Sequence, residues 1–325
     1  MNMLTRFHRS ARASLVALAL VGGPAFAEDL SALTLVAPAS PGGGWDQTAR
    51  AMQAAMEAGE VVSDVQVQNV PGAGGTIGLA QFVANSAAST DTVLVSGLIM
   101  MGGVITNKSA VTLDEVTPLA RLTGEWEMIA VPTASPIQTV QQLVERLKAD
   151  PGAVSWGGGS AGGTDHMLVG LVANAAGVDP RRINYVAHSG GGESLASILG
   201  GFVTVGVNGV AEFAPQIESG ALRPLAVSSE ERLPSFPDVP TLRESGLDVS
   251  LLNWRGLMVG SKVPAADRQA LEQAVDAMAR SEAWKKEIDT RGWVDMYQPQ
   301  AEFASFLDSE KTKVADTLRS IGLTN

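Results

Sequence analysis

Short apolar runs that end in glycine, each followed by residues with apolar positions at helical spacing, recur along the chain and predict repeats of strand, bare loop and helix. Leu33-Thr34-Leu35-Val36-Ala37 is the first run, and the glycine stretch behind it leads into a predicted helix over 46–56. Residues 65–70 alternate apolar and polar, predicting a second strand, and a helix over 76–84 and a strand over 92–96 follow. Strands joined by crossover helices argue for a parallel sheet whose loops share one edge, where ligands gather. A second series opens with a strand over 126–131, read as crossing between lobes, and a helix over 140–149 with Thr139 before it and Pro151-Gly152 after it. It continues with strand 154–156, helix 167–176, strand 183–187, helix 193–199, strand 203–207 ending on Asn208, and strand 225–227. Past Trp254 the pattern turns helical, with Leu271, Val275 and Met278 on one face and Phe303, Leu307, Val314, Leu318 and Ile321 at helical spacing further on.

The expected architecture is α/β with two lobes, each a mostly parallel sheet flanked by helices, and a ligand cleft between them. Lobe 1 takes residues 28–125 and a C-terminal return over 250–325, and lobe 2 takes 126–249. Residues 1–27 stand apart: Arg6, Arg9 and Arg12, then an apolar run from Leu15 to Val21, then Ala25-Phe26-Ala27, a small-x-small cleavage site. This is the pattern of a secretory signal peptide. No later stretch has the roughly 18 uncharged apolar residues of a membrane span. The chain of 325 residues has no cysteine, so no disulfide braces it, and its formal net charge of −11 argues against nucleic acid or an anionic membrane as partner.

Four glycine-rich stretches carry the candidate chemistry: Ser40 to Asp46, with Gly42, Gly43, Gly44 and Trp45; Gly72-Ala73-Gly74-Gly75; Gly157 to His166, with Gly159, Ser160, Gly162, Gly163 and Thr164; and His188-Ser189-Gly190 onward. Each follows a strand and precedes a helix, where unpaired backbone N–H groups and roughly half a unit of positive dipole charge attract anions. One such loop reads as a tight turn, and Asp46 and Thr164 read equally as helix caps, but four loops at strand ends point to binding. Gly157 to Gly162 also fits the dinucleotide pattern G-x-G-x-x-G, yet the next strand ends in His188 instead of the acid that would take a ribose. Gly158-Gly159-Ser160-Ala161-Gly162 fits G-x-S-x-G, which offers a secreted serine hydrolase with Ser160 as the alternative function. No histidine follows His188, however, so the triad order of that fold is not available. No loop contains G-K-S/T, and neither a metal nor a cofactor is expected.

The set Pro41-Gly42-Gly43-Gly44-Trp45-Asp46, Pro71 to Gly75, Gly157 to His166, His188 to Glu193, Arg232-Leu233-Pro234 and Asn253-Trp254-Arg255-Gly256 resembles the extracytoplasmic solute receptors of tripartite tricarboxylate transporters, in order over essentially all of the mature chain. The resemblance implies a monomeric periplasmic binding protein, not an enzyme, that closes on a small carboxylate such as citrate and hands it to a membrane permease. It implies ligand contacts at Ser40 through Asp46, Gly72 through Gly75 and Gly159 through His166, largely through backbone N–H groups. Ser189, Gly190 and Asn208 join His188 as further candidates. The tyrosine-lysine-glycine common in the broader family is replaced here by His188-Ser189-Gly190, so the loops contain no Lys or Arg, and Arg255 is the nearest candidate cation by motif. A carboxylate ligand beside His166 or His188 would then raise that histidine's pKa and tighten binding as pH falls.

Overall fold

A computed structural model describes residues 30–324; the predicted signal peptide lies outside the described residues, apart from which the chain forms one ten-stranded mixed sheet with helices around it. The first half begins with β1 (Ala32–Ala37), α1 (Gly44–Ala58), β2 (Asp64–Asn69), α2 (Thr76–Ser86), β3 (Thr92–Gly97) and α3 (Leu98–Thr106). The long β4 (Val116–Pro132) leads to α4 (Val140–Ala149), β5 (Ser155–Gly158), α5 (Thr164–Ala175), β6 (Asn184–Ala187), α6 (Gly191–Leu199), β7 (Val205–Gly209), α7 (Val210–Glu218) and β8 (Leu222–Val227). The chain ends with β9 (Leu252–Gly260), α8 (Ala265–Ala279), α9 (Glu282–Arg291), β10 (Val294–Pro299) and α10 (Gln300–Ser320).

Along the sheet the order is β2-β1-β3-β9-β4-β7-β5-β6, with β8 and β10 also paired to β4. The predicted parallel units are present: β1 pairs in parallel with β2 and β3, and β5 with β6 and β7. The expectation of mostly parallel sheets is corrected, because β9 runs antiparallel to both β3 and β4, and β4 runs antiparallel to β7, β8 and β10. Two misreadings of pattern explain this. The stretch after Trp254 stays extended to Gly260, and helix begins only at Ala265; β9 is buried on both faces, so it shows no alternation that would mark it as a strand. Likewise β4 reaches well before Trp126, because Arg121, Thr123 and Glu125 interrupt its apolar run although all are buried.

Buried apolar residues fall into separate clusters. The largest draws on β1–β3, α1–α3, the first part of β4 and the chain from Trp254 onward, with Met167 of α5 joining it. Two others draw only on residues between Met128 and Val249. The C-terminal helices thus pack on the first part of the chain: Phe303, Leu307, Val314 and Leu318 of α10 share a core with Leu98 and Met101 of α3. Strands β4 and β9 link the clusters, with Glu125 opposite Asn253 and Gly124 opposite Trp254.

Candidate functional site

Six helices open on glycine caps without a side-chain cap: α1 on Gly43, α2 on Gly75, α3 on Gly97, α5 on Gly163, α6 on Gly190 and α7 on Gly209. Side-chain caps close α4, from Thr139, and α9, from Ser281. A glycine cap leaves first-turn N–H groups without a side-chain acceptor, and the dipole adds positive potential there. The loops before α1 and α6 meet. A methyl group at Gly43 would lie 3.9 Å from the Gly191 nitrogen, and one at Gly190 would lie 3.9 Å from the Ser40 nitrogen. Ser40 Oγ donates to Glu193 Oε1 at 3.4 Å, and Thr106 Oγ1 of α3 donates to the Ala161 carbonyl at 3.5 Å.

Two adjoining cavities lie where these loops converge, with Ser160 and Ser189 lining both. The inner cavity, about 40 Å³, is walled by Gly43, Gly44, Trp45, Ile99, Gly159, Gly190 and Gly191, and its polar walls are Asp165, Glu212, Asn253 and Arg255. The outer recess, about 290 Å³, is lined by Ala73, Gly74, Asn107, Ala161, Ala187, His188 and Glu193. A surface recess of about 370 Å³, at Glu272, Asp276 and Tyr297, contains none of the predicted residues.

A buried ionisable cluster sits behind the inner cavity. Arg255 on β9 is 1% exposed and pairs through Nη2 with Glu125 on β4, while its Nε and Nη1 have no hydrogen-bond partner. Glu125 also accepts the Ala211 N–H at 2.9 Å. Asp165 accepts the Gly159 N–H at 2.6 Å, and both carboxylate oxygens of fully buried Glu127 lack any donor. Burial, with the neighbouring Asp165, Glu125 and Glu212 carboxylates, holds the Glu127 pKa well above the usual range. Burial raises Asp165 to about 6 despite the hydrogen bond it accepts from the Gly159 N–H. Burial and the charges of Glu125 and Asp165 push Glu212 up to about 8. Burial works against the Arg255 guanidinium, but the surrounding carboxylates outweigh it and its pKa stands above the ordinary value.

This cluster gives the glycines a second cause. A Cβ at Gly44 would come within 2.9 Å of Arg255 Cζ, at Gly191 within 2.6 Å of Glu212 Cδ, and at Gly209 within 2.6 Å of Glu125 Cδ. Such approaches are closer than packing allows, so these loops are bare partly because buried charged side chains already fill the space. Gly162, at φ +74°, serves the backbone instead, turning the chain so that the Gly163 N–H reaches the Ser160 carbonyl at 2.9 Å.

Of the predicted residues, Gly43, Gly44, Trp45, Ala73, Gly74, Gly159, Ser160, His188, Ser189 and Gly190 line one cavity or the other. The rest lie outside the cavity walls. Asp46 accepts from the Gly42 N–H at 2.8 Å, from Arg50 Nε at 3.0 Å and from Asn69 Nδ2 at 2.9 Å, which braces the first loop. Gly72 and Gly75, at φ +125° and +85°, shape the turn around Ala73, whose carbonyl takes Thr76 Oγ1 and Asn107 Nδ2. Gly162, Gly163 and buried Thr164 form the entry to α5. Asn208, fully buried, donates to the Gly191 carbonyl at 3.3 Å and so fixes the loop before α6. His166 stacks flat on Tyr185, ring centroids 4.0 Å apart, and its Nδ1 accepts from the Gly162 N–H. Burial lowers its pKa to about 4, so the stacked imidazole is neutral in the ligand-free chain. His188 turns its Nδ1 to the Gly158 carbonyl at 3.0 Å. Ser160 stands well before the start of α5 at Thr164, unlike the serine of a strand-to-helix elbow, and among the described residues no hydrogen bond joins it to either histidine. Sequence reasoning missed Glu212, Glu125 and Glu127; the available signal for the last two was charge inside an apolar strand, Glu125-Trp126-Glu127.

Known proteins match most of the chain. The tripartite tricarboxylate transporter family receptor description matches residues 48–323. Protein BugT of Bordetella pertussis is 26% identical over 319 residues, covering 94% of this chain and 95% of that protein. A solved structure of a periplasmic transporter superposes with a TM-score of 0.81 at 23% identity, covering 90% of this chain and 98% of the other. MatC from Rhodopseudomonas palustris, solved with bound malate, superposes with a TM-score of 0.78 at 24% identity, covering 88% of this chain and 98% of that one.

Proposed function

From the chain's membership of the tripartite tricarboxylate transporter receptor family, which is one of transport receptors and not of enzymes, we propose that it captures a small di- or tricarboxylate in the periplasm and delivers it to the permease of such a transporter. The observation that carries this reading is the convergence of α1 and α6, both opening on uncapped glycines, upon one cavity that also holds the free donors of Arg255. Each helix terminus contributes about 0.3 to 1 kcal/mol toward an anion, and more where water is excluded, so several must act together. MatC's malate supports a ligand of this size.

In this reading residues 28–125 and 250–325 form one lobe and 126–249 the other, β4 and β9 cross between them, and the ligand sits in the cleft. The separate apolar clusters support the division, and the contacts between the Ser40 and Gly190 loops support a closed cleft. The leader is removed on export and the mature receptor acts as a monomer. Isothermal calorimetry of the mature chain against malate, succinate, adipate and citrate tests the reading: one-to-one binding of at least one of these acids is expected, and heat from none of them overturns it. Ester hydrolysis that disappears in Ser160→Ala would instead support the enzyme.

A further inference from the structure

The inner cavity holds more acid than the site of a polyanion should. Asp165 and Glu212 both line it, opposite the single guanidinium of Arg255, which already shares its Nη2 with Glu125. The cavity has unmet needs of both signs. Arg255, buried beyond nine-tenths, keeps Nε and Nη1 without acceptors, and Glu212 Oε1, sealed from solvent, has no donor. At about 40 Å³ the cavity takes one end of a ligand only, the remainder lying in the outer recess beyond Ser160 and Ser189.

We propose, resting on the carboxylate reading above, that this inner end receives a carboxylate together with a protonated nitrogen on the adjoining carbon, so that the preferred ligand is an amino acid and not a plain di- or tricarboxylate. The carboxylate faces Arg255 and the first-turn N–H groups of α1 and α6, and the ammonium faces Glu212 and Asp165. A plain dicarboxylate fills the first half of this arrangement and leaves Glu212 Oε1 without a donor, whereas a carboxylate lying toward Glu212 meets like charge or must take up a proton. Gly191 makes the arrangement possible, since a side chain there would occupy the space of the Glu212 carboxyl. Glu212 is therefore the specificity-determining residue, with Asp165 at its side; Glu125 and Glu127 of β4 and Arg255 of β9 are the other charged groups facing it.

Matched acids that differ only in the α-ammonium test this: succinate and L-aspartate, glutarate and L-glutamate, propionate and L-alanine, each titrated by calorimetry into the mature protein and into Glu212→Gln. In the pair that binds tightest, the amino member should bind at least tenfold tighter to the parent, and Glu212→Gln should reduce that preference to under threefold. A plain acid that binds as tightly as its amino partner, or a preference that survives Glu212→Gln, overturns the inference and leaves the carboxylate reading standing. Binding of none of the six overturns the inference, while the carboxylate reading is decided separately by malate, adipate and citrate. Should Glu212→Gln fail to fold, titration of the parent at pH 8 in phosphate and in Tris counts protons. An ammonium beside Glu212 favours its ionisation, so proton release on binding of the amino acid is expected, and proton uptake overturns the inference.

Discussion

Replacing Glu212 by glutamine should flatten much of the fall in stability between pH 6 and pH 8. The Glu212 carboxyl is held at about 8 in the folded chain against 4.5 for the free group, so the folded state binds more protons than the unfolded state over this interval. A carboxyl raised in this way contributes stability that is fully present below the unfolded pKa and is lost as pH climbs through the folded one. At pH 6 the folded group is almost wholly protonated and the unfolded group almost wholly ionised; at pH 8 the folded group is half protonated. With 1.36 kcal/mol per unit, the interval costs about 2 kcal/mol from Glu212 alone. Asp165, at about 6, has spent most of its contribution by pH 7. Glutamine keeps a neutral side chain of the same shape, so the difference between variant and parent isolates one proton. Urea unfolding of ligand-free protein at pH 6, 7 and 8 measures it. A Glu212→Gln curve that falls between pH 6 and pH 8 as steeply as the parent's would refute the assignment of a buried, protonated Glu212.

Gly102→Ala should act as a wedge: its methyl meets the Gly162 carbonyl across the contact between α3 and the α5 entry loop, so ligand affinity should fall at least tenfold with little loss of helix signal in circular dichroism, and small-angle scattering should show a larger radius than the parent's. Gly44→Ala should displace Arg255 from Glu125, and because a buried pair broken on one side costs about 3 to 5 kcal/mol, the thermal midpoint should drop by several degrees and binding should be lost together. His166→Gln should leave affinity unchanged between pH 6 and pH 8, since the buried imidazole is neutral throughout that range. The same variant should lose less stability than the parent as pH falls from about 6.5 toward 4, because a lowered histidine pKa makes the unfolded chain take up the proton first.

The glycine loops were legible because their chemistry is local: a run such as Pro41-Gly42-Gly43-Gly44 announces a turn and a helix start wherever it lies in a fold. Helix α4 was legible for the same reason, bounded by Thr139 and Pro151, and the structure places it over the predicted residues. What escaped is non-local. Arg255 and Glu125 are 130 residues apart and meet only because β9 lies antiparallel against β4, a pairing that the pattern after Trp254 concealed. Glu212 faces Gly191 through the packing of α6 on α7, so nothing beside either residue hints at the other. The burial of His166 is likewise something a short motif cannot report: a histidine in a glycine loop reads as exposed until Tyr185 covers its ring.

The claim that matters most is that uncapped helix N-termini hold the ligand's carboxylate. Amide ¹H–¹⁵N correlation spectra of the mature protein, recorded while a binding acid is added, test it directly. The largest shifts should fall on the N–H groups of Gly44, Trp45, Gly191 and Gly192, in the first turns of α1 and α6. Saturable binding that leaves those amides in place and moves instead the recess at Glu272, Asp276 and Tyr297 would contradict the account.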